Sequence, residues 1–251
     1  MPHYYVKPGN ITNKHFVIKG DEAHHLIRVL RVRIGQEMNL FDGTSKLYAG
    51  KVEEIGKDEV SGTIFASRAG FAPKISLTLY QAIPKGERFD WLVEKGAELG
   101  VKKIVPLYTE RSVSKNVSES KISRWQRLSL AASEQCGRSD VMEVSKPIAF
   151  LEAVKTVPEN SLAVIPWESE SAMTIPAVAQ KKGKFSEAHI FVGPEGGFTG
   201  REIDSAVSKG IVTVTLGQRI LRAETAGLLA AILVLNLAGE YGTDKDSSGV
   251  H

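Results

Sequence analysis

The segment GPEGG at residues 193–197, called the glycine loop below, holds the residue types in this sequence best suited to bind a ligand. It follows the apolar run HIFV and precedes a helix-like segment, and glycines at such a turn let the backbone approach a bound molecule closely. Phe198 stands where a Walker loop needs lysine, and the spacing is not G-x-G-x-x-G, so neither common phosphate loop fits. Glu195 would also repel a phosphate. A ligand with ribose hydroxyls or a positive charge is therefore favoured.

The residues after these glycines predict where a helix begins. Thr199 is followed three residues later by Glu202, which is the spacing of a capping box, so we assign both side chains to helix capping rather than to ligand binding. The alternative for the glycine loop as a whole is a tight connection without a ligand, and the sequence leaves that alternative open.

A second stretch, LGQRILR at residues 216–222 and called the second loop below, also follows an apolar run and precedes a helix. Ile220 and Leu221 lie between two arginines, where the chain should be exposed. Exposed aliphatic side chains are costly unless they cover something flat and apolar, such as an adenine ring. The alternative is that both side chains belong to the core.

Composition limits the classes of function. The chain has 251 residues, a net charge of +3, 42% hydrophobic and 24% charged residues. One cysteine, Cys136, excludes an internal disulfide and a cysteine-based zinc site, and the histidines lack metal-ligand spacing, so no metal is expected. No charged and apolar leader opens the chain, and the apolar run 226–238 is too short to cross a bilayer comfortably. We expect a cytoplasmic protein without membrane contact.

Positive charge is concentrated in one segment. Residues 102–138 contain eight Lys or Arg residues and three Glu residues, an excess larger than that of the whole chain. This segment is either a surface that follows phosphates or a solvated helix face.

Hydrophobic periodicity divides the chain into two regions. Up to about residue 70, short β-like runs are separated by turn residues, and one helix follows Asp21 as N-cap, with Leu26, Ile27 and Leu30 on one face. This pattern predicts a small barrel with an inserted helix, followed by a linker at 68–74.

From Lys74 onward, strands and helices alternate, which predicts a parallel sheet with helices on its faces. Ligands in such sheets bind beyond the carboxyl ends of the strands, where both loops fall. The expected strands lie at 75–83, 102–108, 162–167, 189–193 and 212–217, and the expected helices at 88–100, 123–137, 175–182, 201–210 and 224–242. The helix after Glu224 is apolar on nearly every side, so we expect it to be buried all round, either in a core or against a partner. The polar tail at 243–251 is expected to fray.

The segments IFVGPEGGFTGREID and LGQRILRAETAGLLAA together closely resemble the RsmE family, the 16S ribosomal RNA uridine N3-methyltransferases of the SPOUT superfamily. The resemblance covers nearly the whole chain, since HHLIRVLRVRIGQEMNLFDG is similar to the family's PUA-like domain. It implies an α/β fold: a SPOUT-type parallel sheet with a C-terminal trefoil knot at 73–251, plus a small N-terminal β-barrel at 1–72 that binds RNA. It also implies S-adenosylmethionine (SAM) as methyl donor, a homodimer, and 16S ribosomal RNA within the small subunit as substrate.

The family's cofactor residues are carried over position by position. They comprise Gly193, Pro194, Glu195, Gly196, Gly197, Leu216, Gly217, Ile220, Leu221, Arg222, Thr225 and Ala226. Trp167 matches the third wall of the family's site less closely and is left out. Arg28 and Arg31 are expected to lie one turn apart on the N-terminal helix and to contact the RNA backbone; the alternative for both is a solvated helix face. The other expected RNA contacts are Arg111, Lys115 and Arg138.

Two residues are expected to take part in the chemistry. Methyl transfer from a sulfonium needs in-line positioning and loss of the uracil N3 proton, but no covalent nucleophile. Arg222 is the candidate that stabilises the resulting uracil anion, and Glu195 is either a base or, more in keeping with its loop, a cofactor-binding group. Two alternatives stay open: a SPOUT enzyme that methylates a ribose 2′-hydroxyl, and an RNA-binding module without catalysis.

Overall fold

The computed structural model describes residues 3–71, 73–112 and 116–241. It divides the chain into two compact units, which are described separately. The N-terminal unit consists of Met1–Ala72 with Leu130–Val141, and the C-terminal unit consists of Pro73–Ser129 and Met142–His251. Nothing in the periodicity of residues 130–141 indicates their association with the N-terminal unit. The tail at 243–251 and Ala72 of the expected linker lie outside the described residues.

The N-terminal unit is built on one mixed, curled sheet. Its six strands are β1 (His3–Tyr5), β2 (Ile11–Thr12), β3 (His15–Lys19), β4 (Glu37–Phe41), β5 (Lys46–Ile55) and β6 (Glu59–Ala69). The order is β1-β4-β5-β6-β3-β2, with β1 parallel to β4 and the other neighbours antiparallel. Register shifts between β5 and β6 bend the sheet. It curls around Phe16, whose ring lies so close to Gly50 that a Cβ there would meet it at 2.9 Å.

The helix of this unit differs from the sequence prediction. Helix α1 spans only Asp21–His24, its N-cap is Gly20 rather than Asp21, and a π turn over His25–Val29 ends it. Leu26 is buried as expected, but Leu30 is 44% exposed. The physical reason is the wider π turn, in which the Leu30 amide bonds to the His25 carbonyl at 3.1 Å, because it rotates the following residues off the predicted helical face.

The C-terminal unit contains the predicted parallel sheet. Its strands are β7 (Ser76–Ala82), β8 (Lys103–Tyr108), β9 (Glu143–Val144), β10 (Ile148–Ala149), β11 (Leu162–Pro166), β12 (Glu187–Val192) and β13 (Val212–Val214). The order is β10-β8-β7-β12-β11-β13, with β9 on β8, and every pair is parallel. In the core, the rings of Tyr80 and Phe191 stack with centroids 4.3 Å apart across β7 and β12.

Six helices accompany this sheet in the described residues. They are α2 (Arg88–Leu99), α3 (Glu119–Gln135), α4 (Phe150–Lys155), α5 (Ile175–Lys182), α6 (Gly200–Ser208) and α7 (Ala223–Leu237). The residues of α3 from Leu130 onward belong to the N-terminal unit. The short α4 was not expected, because its six residues carry too little periodicity. No helix in the described part of the chain combines the length and hydropathy that a bilayer span needs.

Helix α7 packs against β7 and β12 in the middle of the sheet and against α2 and α5. The contact with β7 is close, because a Cβ at Gly227 would overlap Oε1 of the buried Gln81. In the single chain the helix is not buried all round, which leaves burial against a partner as the expected alternative. Its other face carries half-buried or exposed apolar side chains: Leu229, Ile232, Leu233 and Leu237.

Candidate active site

The glycine loop and the second loop meet at the carboxyl end of the parallel sheet, as predicted from the alternation of strands and helices. Together with the residues that follow β11, they enclose a cleft of about 390 Å³, which is within the usual range for a small-molecule site. Ten of the twelve predicted cofactor residues line it: Gly193, Pro194, Glu195, Gly197, Leu216, Gly217, Ile220, Leu221, Arg222 and Ala226. Gly196 and Thr225 do not.

The glycine loop owes its shape to Gly193 and Gly197. Gly197 has a φ of +67°, and a Cβ there would come within 3.1 Å of the Glu168 carboxylate. A Cβ at Gly193 would meet the Phe198 ring at 3.1 Å. That ring is buried and lies 4.8 Å from the Phe150 ring, so it anchors the loop to the core. Gly196 has neither a positive φ nor a neighbour close enough to exclude a Cβ.

The capping box predicted at the start of α6 is confirmed. The Thr199 hydroxyl accepts a hydrogen bond from the Glu202 amide, and the Glu202 carboxylate accepts one from the Thr199 amide at 2.9 Å. Glu202 is buried, and its second oxygen accepts a hydrogen bond from the Glu110 amide at 2.9 Å. One carboxylate therefore holds the glycine loop and the loop after β8 together.

Arg111 supports the glycine loop directly. Its Nη1 donates a hydrogen bond to the Gly196 carbonyl at 2.7 Å, and a Cβ at Gly196 would meet the Arg111 side chain at 3.6 Å. The face of Gly196 thus points toward Arg111, not into the cleft. Arg111 was predicted from the sequence to contact RNA. Its hydrogen bond to the glycine loop gives it a structural role, which counting charges cannot reveal.

The other predicted RNA contacts are placed unequally. Arg28 and Arg31 are exposed in the N-terminal unit, but Arg31 lies beyond the helix, so the two are not one helical turn apart. Arg138 is not the exposed cation that was expected. Its side chain is 9% exposed and pairs with Asp140 through two hydrogen bonds of 3.0 and 2.9 Å. Lys115 lies outside the described residues.

The second loop presents an aliphatic side chain to the cleft. Ile220 is 100% exposed in the single chain, so it does not belong to the core, and Leu221 is half-buried. Gly217 has a φ of +102°, which favours glycine. Arg222 is the N-cap residue of α7; its side chain is exposed and makes no capping hydrogen bond.

A third wall of the cleft follows β11 and contains Pro166, Trp167 and Glu168. The Trp167 amide bonds to the Val214 carbonyl at 3.0 Å, which ties this wall to β13. None of these three residues was among the predicted cofactor contacts, and neither were Thr215, Gln218 and Arg219, which also line the cleft. The available signal was the position of Trp167 at the carboxyl end of a strand next to β12.

Arg88 lies at the start of α2 between two acidic residues. Its Nη1 is 3.4 Å from Glu195 Oε1 in the glycine loop, and its Nε is 3.7 Å from Glu224 Oε1 in the first turn of α7. The Glu224 side chain is 7% exposed, and its Oε2 has no hydrogen-bond partner among the described residues. A cation at a helix N-terminus is unfavourable by itself, so the two carboxylates account for the position of Arg88.

The chain belongs to the RNA methyltransferase family. The family model described as an RNA methyltransferase domain matches residues 72–235, and a model described as an RNA methyltransferase PUA domain matches residues 18–65. The resemblance noted in the sequence is thereby confirmed.

The relatives narrow this class to ribosomal RNA small subunit methyltransferase E. The protein of that name from Synechocystis is 32% identical over 90% of this chain and 74% of its own length. The one from Bacillus subtilis is 29% identical over 86% of this chain and 87% of its own length. The crystal structure of ribosomal RNA small subunit methyltransferase E from Neisseria gonorrhoeae bound to S-adenosyl methionine is 31% identical, with a TM-score of 0.84, and the match covers 94% of this chain and 98% of that one.

Proposed function

We propose that this protein is a cytoplasmic, SAM-dependent methyltransferase that methylates N3 of a uridine in 16S ribosomal RNA of the small subunit. The observation that carries the proposal is the cleft at the carboxyl end of the sheet, because its walls come from the two loops that resemble the family's cofactor site. The similarity to ribosomal RNA small subunit methyltransferase E supports the RNA substrate.

The residues of the cleft fit SAM. Gly197 and Gly217 have positive φ values, so the backbone reaches the cleft without intervening side chains. The exposed Ile220 offers an apolar surface for an adenine ring, and the Glu195 and Glu168 carboxylates suit a ligand that carries positive charge. When bound, SAM supplies a methyl group that its sulfonium already activates.

Arg222 is the residue that we propose to stabilise the uracil anion. It lines the cleft, is exposed, and makes no capping bond, so its guanidinium is available to the uracil oxygens as the N3 proton leaves. Glu195 lies in the glycine loop with its Oε1 3.4 Å from Arg88 Nη1, so its carboxylate is already engaged by a cation, and we assign it to the binding of the cofactor rather than to proton removal.

We also propose that the protein is a homodimer that buries the exposed face of α7. That face presents Leu229, Ile232, Leu233 and Leu237, an apolar stripe that water would otherwise cover. Replacing Leu229 and Leu233 with Glu should yield monomers in sedimentation velocity. The exposed Val207 on α6 gives the control, since Val207→Glu should leave the dimer intact. An unchanged dimer in the Leu229 and Leu233 variant would place the interface elsewhere.

The trefoil knot implied by the resemblance belongs to the same proposal. Helix α7 follows β13 at the edge of the sheet, yet it packs against β7 and β12 in the middle. A C-terminal knot includes such a return of the chain to the middle of the sheet, and this return supports the proposal.

Two measurements test the proposed function. Small subunits from cells that lack the protein, incubated with the purified enzyme and SAM, should gain one methyl group that nuclease digestion and mass spectrometry assign to uridine N3. A methyl group on a ribose 2′-oxygen would favour the alternative SPOUT enzyme. Calorimetry should detect SAM binding to the protein alone; its absence would favour an RNA-binding module without catalysis.

A further inference from the structure

Residues 28–34 of the N-terminal unit, RVLRVRI, form an exposed segment of unusual composition, which we call the arginine tip. Its three arginines, Arg28, Arg31 and Arg33, are all exposed. Between them lie aliphatic side chains that are also exposed: Val29 at 65%, Leu30 at 44% and Ile34 at 68%. Large aliphatic side chains that cluster on a surface more often belong to a binding site than to a face covered only by water.

The arginine tip is held in place at both ends. Leu26 before it and Val32 within it are buried, and the Val32 amide bonds to the Leu26 carbonyl at 3.0 Å. After it, the Gly35 amide bonds to the Val52 carbonyl at 2.8 Å. The exposed side chains are therefore presented by fixed backbone, which reduces the entropy that a ligand must remove on binding.

The backbone of the arginine tip is also unusual. It begins in the π turn, a form that occurs frequently at functional sites, and Arg31 has a φ of +51°. Arg31 directly follows the C-cap residue Leu30, and a left-handed residue at that position is a common helix ending, closed here by the bond from the Val32 amide to the Leu26 carbonyl. This cap fixes the backbone on either side of the exposed arginine and aliphatic side chains.

The charge of the arginine tip identifies its partner as a polyanion. No acidic residue occurs between residues 23 and 36, so the three arginines are not neutralised along the chain. Phosphates pair with arginines but leave aliphatic side chains uncovered. Unstacked bases and riboses cover aliphatic surface, as they do where apolar residues insert between base steps. RNA with locally unstacked bases meets both requirements.

We propose that the arginine tip binds RNA at a bulge or loop, with its arginines on phosphates and with Val29, Leu30 and Ile34 against unstacked bases. The tip therefore selects distorted RNA over continuous duplex. This inference rests on the proposed function, in which RNA is the substrate, and it specifies which shape of RNA the N-terminal unit recognises.

Two synthetic RNA hairpins test this selection: one with a three-nucleotide bulge in its stem and one fully paired. The wild-type protein should prefer the bulged hairpin by about tenfold, and Val29→Ser with Ile34→Ser should remove that preference while the dependence on salt stays the same. Arg28→Ala with Arg31→Ala should weaken both hairpins and reduce the salt slope by about one for each lost contact. The control is Phe65→Ser, at an exposed aromatic residue on β6 of the same unit. It should change neither the preference for the bulged hairpin nor the salt slope.

An unchanged preference for the bulged hairpin in the Val29 and Ile34 variant would overturn the inference. A change in its oligomeric state would also overturn it, because the tip would then be a protein interface. If serine lowers the melting temperature, Val29→Ala with Ile34→Ala provides the same comparison. SAM binding and methylation of small subunits are measured in parallel, so failure of the proposed function is distinguished from failure of the inference about the tip.

Discussion

Arg88→Ala should weaken the candidate cofactor site although Arg88 does not line the cleft, because Arg88 lies between carboxylates of the glycine loop and of α7. The contact with Glu195 spans 3.4 Å, but both side chains are more than a third exposed, so it contributes about 0.5 kcal/mol. The Glu224 carboxylate is 7% exposed, and removing its cation costs about 1–3 kcal/mol, because a buried acceptor is left without its partner. We expect a loss of about 2 kcal/mol in the free energy of unfolding and a tenfold loss in SAM affinity.

A double-mutant cycle isolates this effect. Glu224→Gln replaces the buried charge with a neutral amide that needs no cation, so Arg88→Ala in that background should change SAM affinity less than twofold. Calorimetry gives the affinities and urea unfolding gives the stabilities. The control is Arg127→Ala, at an exposed arginine on α3. Wild-type SAM affinity in Arg88→Ala, or additive losses in the cycle, would refute the reasoning that Arg88 acts through Glu224.

Three further predictions concern the glycine loop, the chemistry and the N-terminal unit. Gly197→Ala should lower SAM affinity about five- to thirtyfold. The φ of +67° at this position costs an L residue about 1–2 kcal/mol, so the loop of the variant adopts its binding conformation less often. Gly196→Ala should bind SAM normally in the same calorimetric assay. Equal SAM affinities in the Gly196→Ala and Gly197→Ala variants would exclude the left-handed turn as the cause. Arg222→Ala should slow single-turnover methylation by about a hundredfold with RNA affinity nearly unchanged, and a near-normal rate would remove Arg222 from the chemistry. Burial, and then the Glu22 carboxylate, raise the pKa of Glu134 from 4.5 to about 8. Between pH 4.5 and about 8, the folded carboxyl group keeps its proton and the unfolded one loses it. The free energy of unfolding therefore falls as the pH rises through this range. The urea midpoint should therefore fall more between pH 5 and 9 in the wild type than in Glu134→Gln, and parallel curves would contradict this.

Local patterns in the sequence predicted the framework of the site well. The strands end where apolar runs end, and parallel strands bring their carboxyl ends to one edge, so both loops could be placed together without coordinates. The capping box of Thr199 and Glu202 was also predictable, because both partners lie within one helical turn.

Features that depend on distant residues or on exact backbone angles were not predictable. Arg88 is 107 residues before Glu195, so no periodicity connects them. Composition cannot distinguish Gly196 from Gly197, although only Gly197 has a positive φ. Counting charges in residues 102–138 treated Arg138 as exposed, whereas burial pairs it with Asp140. The π turn depends on tertiary packing, which a helical pattern does not encode.

The close contact between Gly227 and Gln81 has a consequence for enzyme engineering. A side chain at Gly227 would require the buried Gln81 to move, so α7 cannot slide or rotate on β7 without disturbing that contact. At the other end of the second loop, the Thr215 amide bonds to the Met173 carbonyl at 2.8 Å. Both ends of residues 216–222 are therefore fixed, and the segment can be exchanged as a cassette. Libraries built at the fully exposed Ile220 offer a route to enzymes that accept enlarged cofactor analogues while the scaffold stays constant.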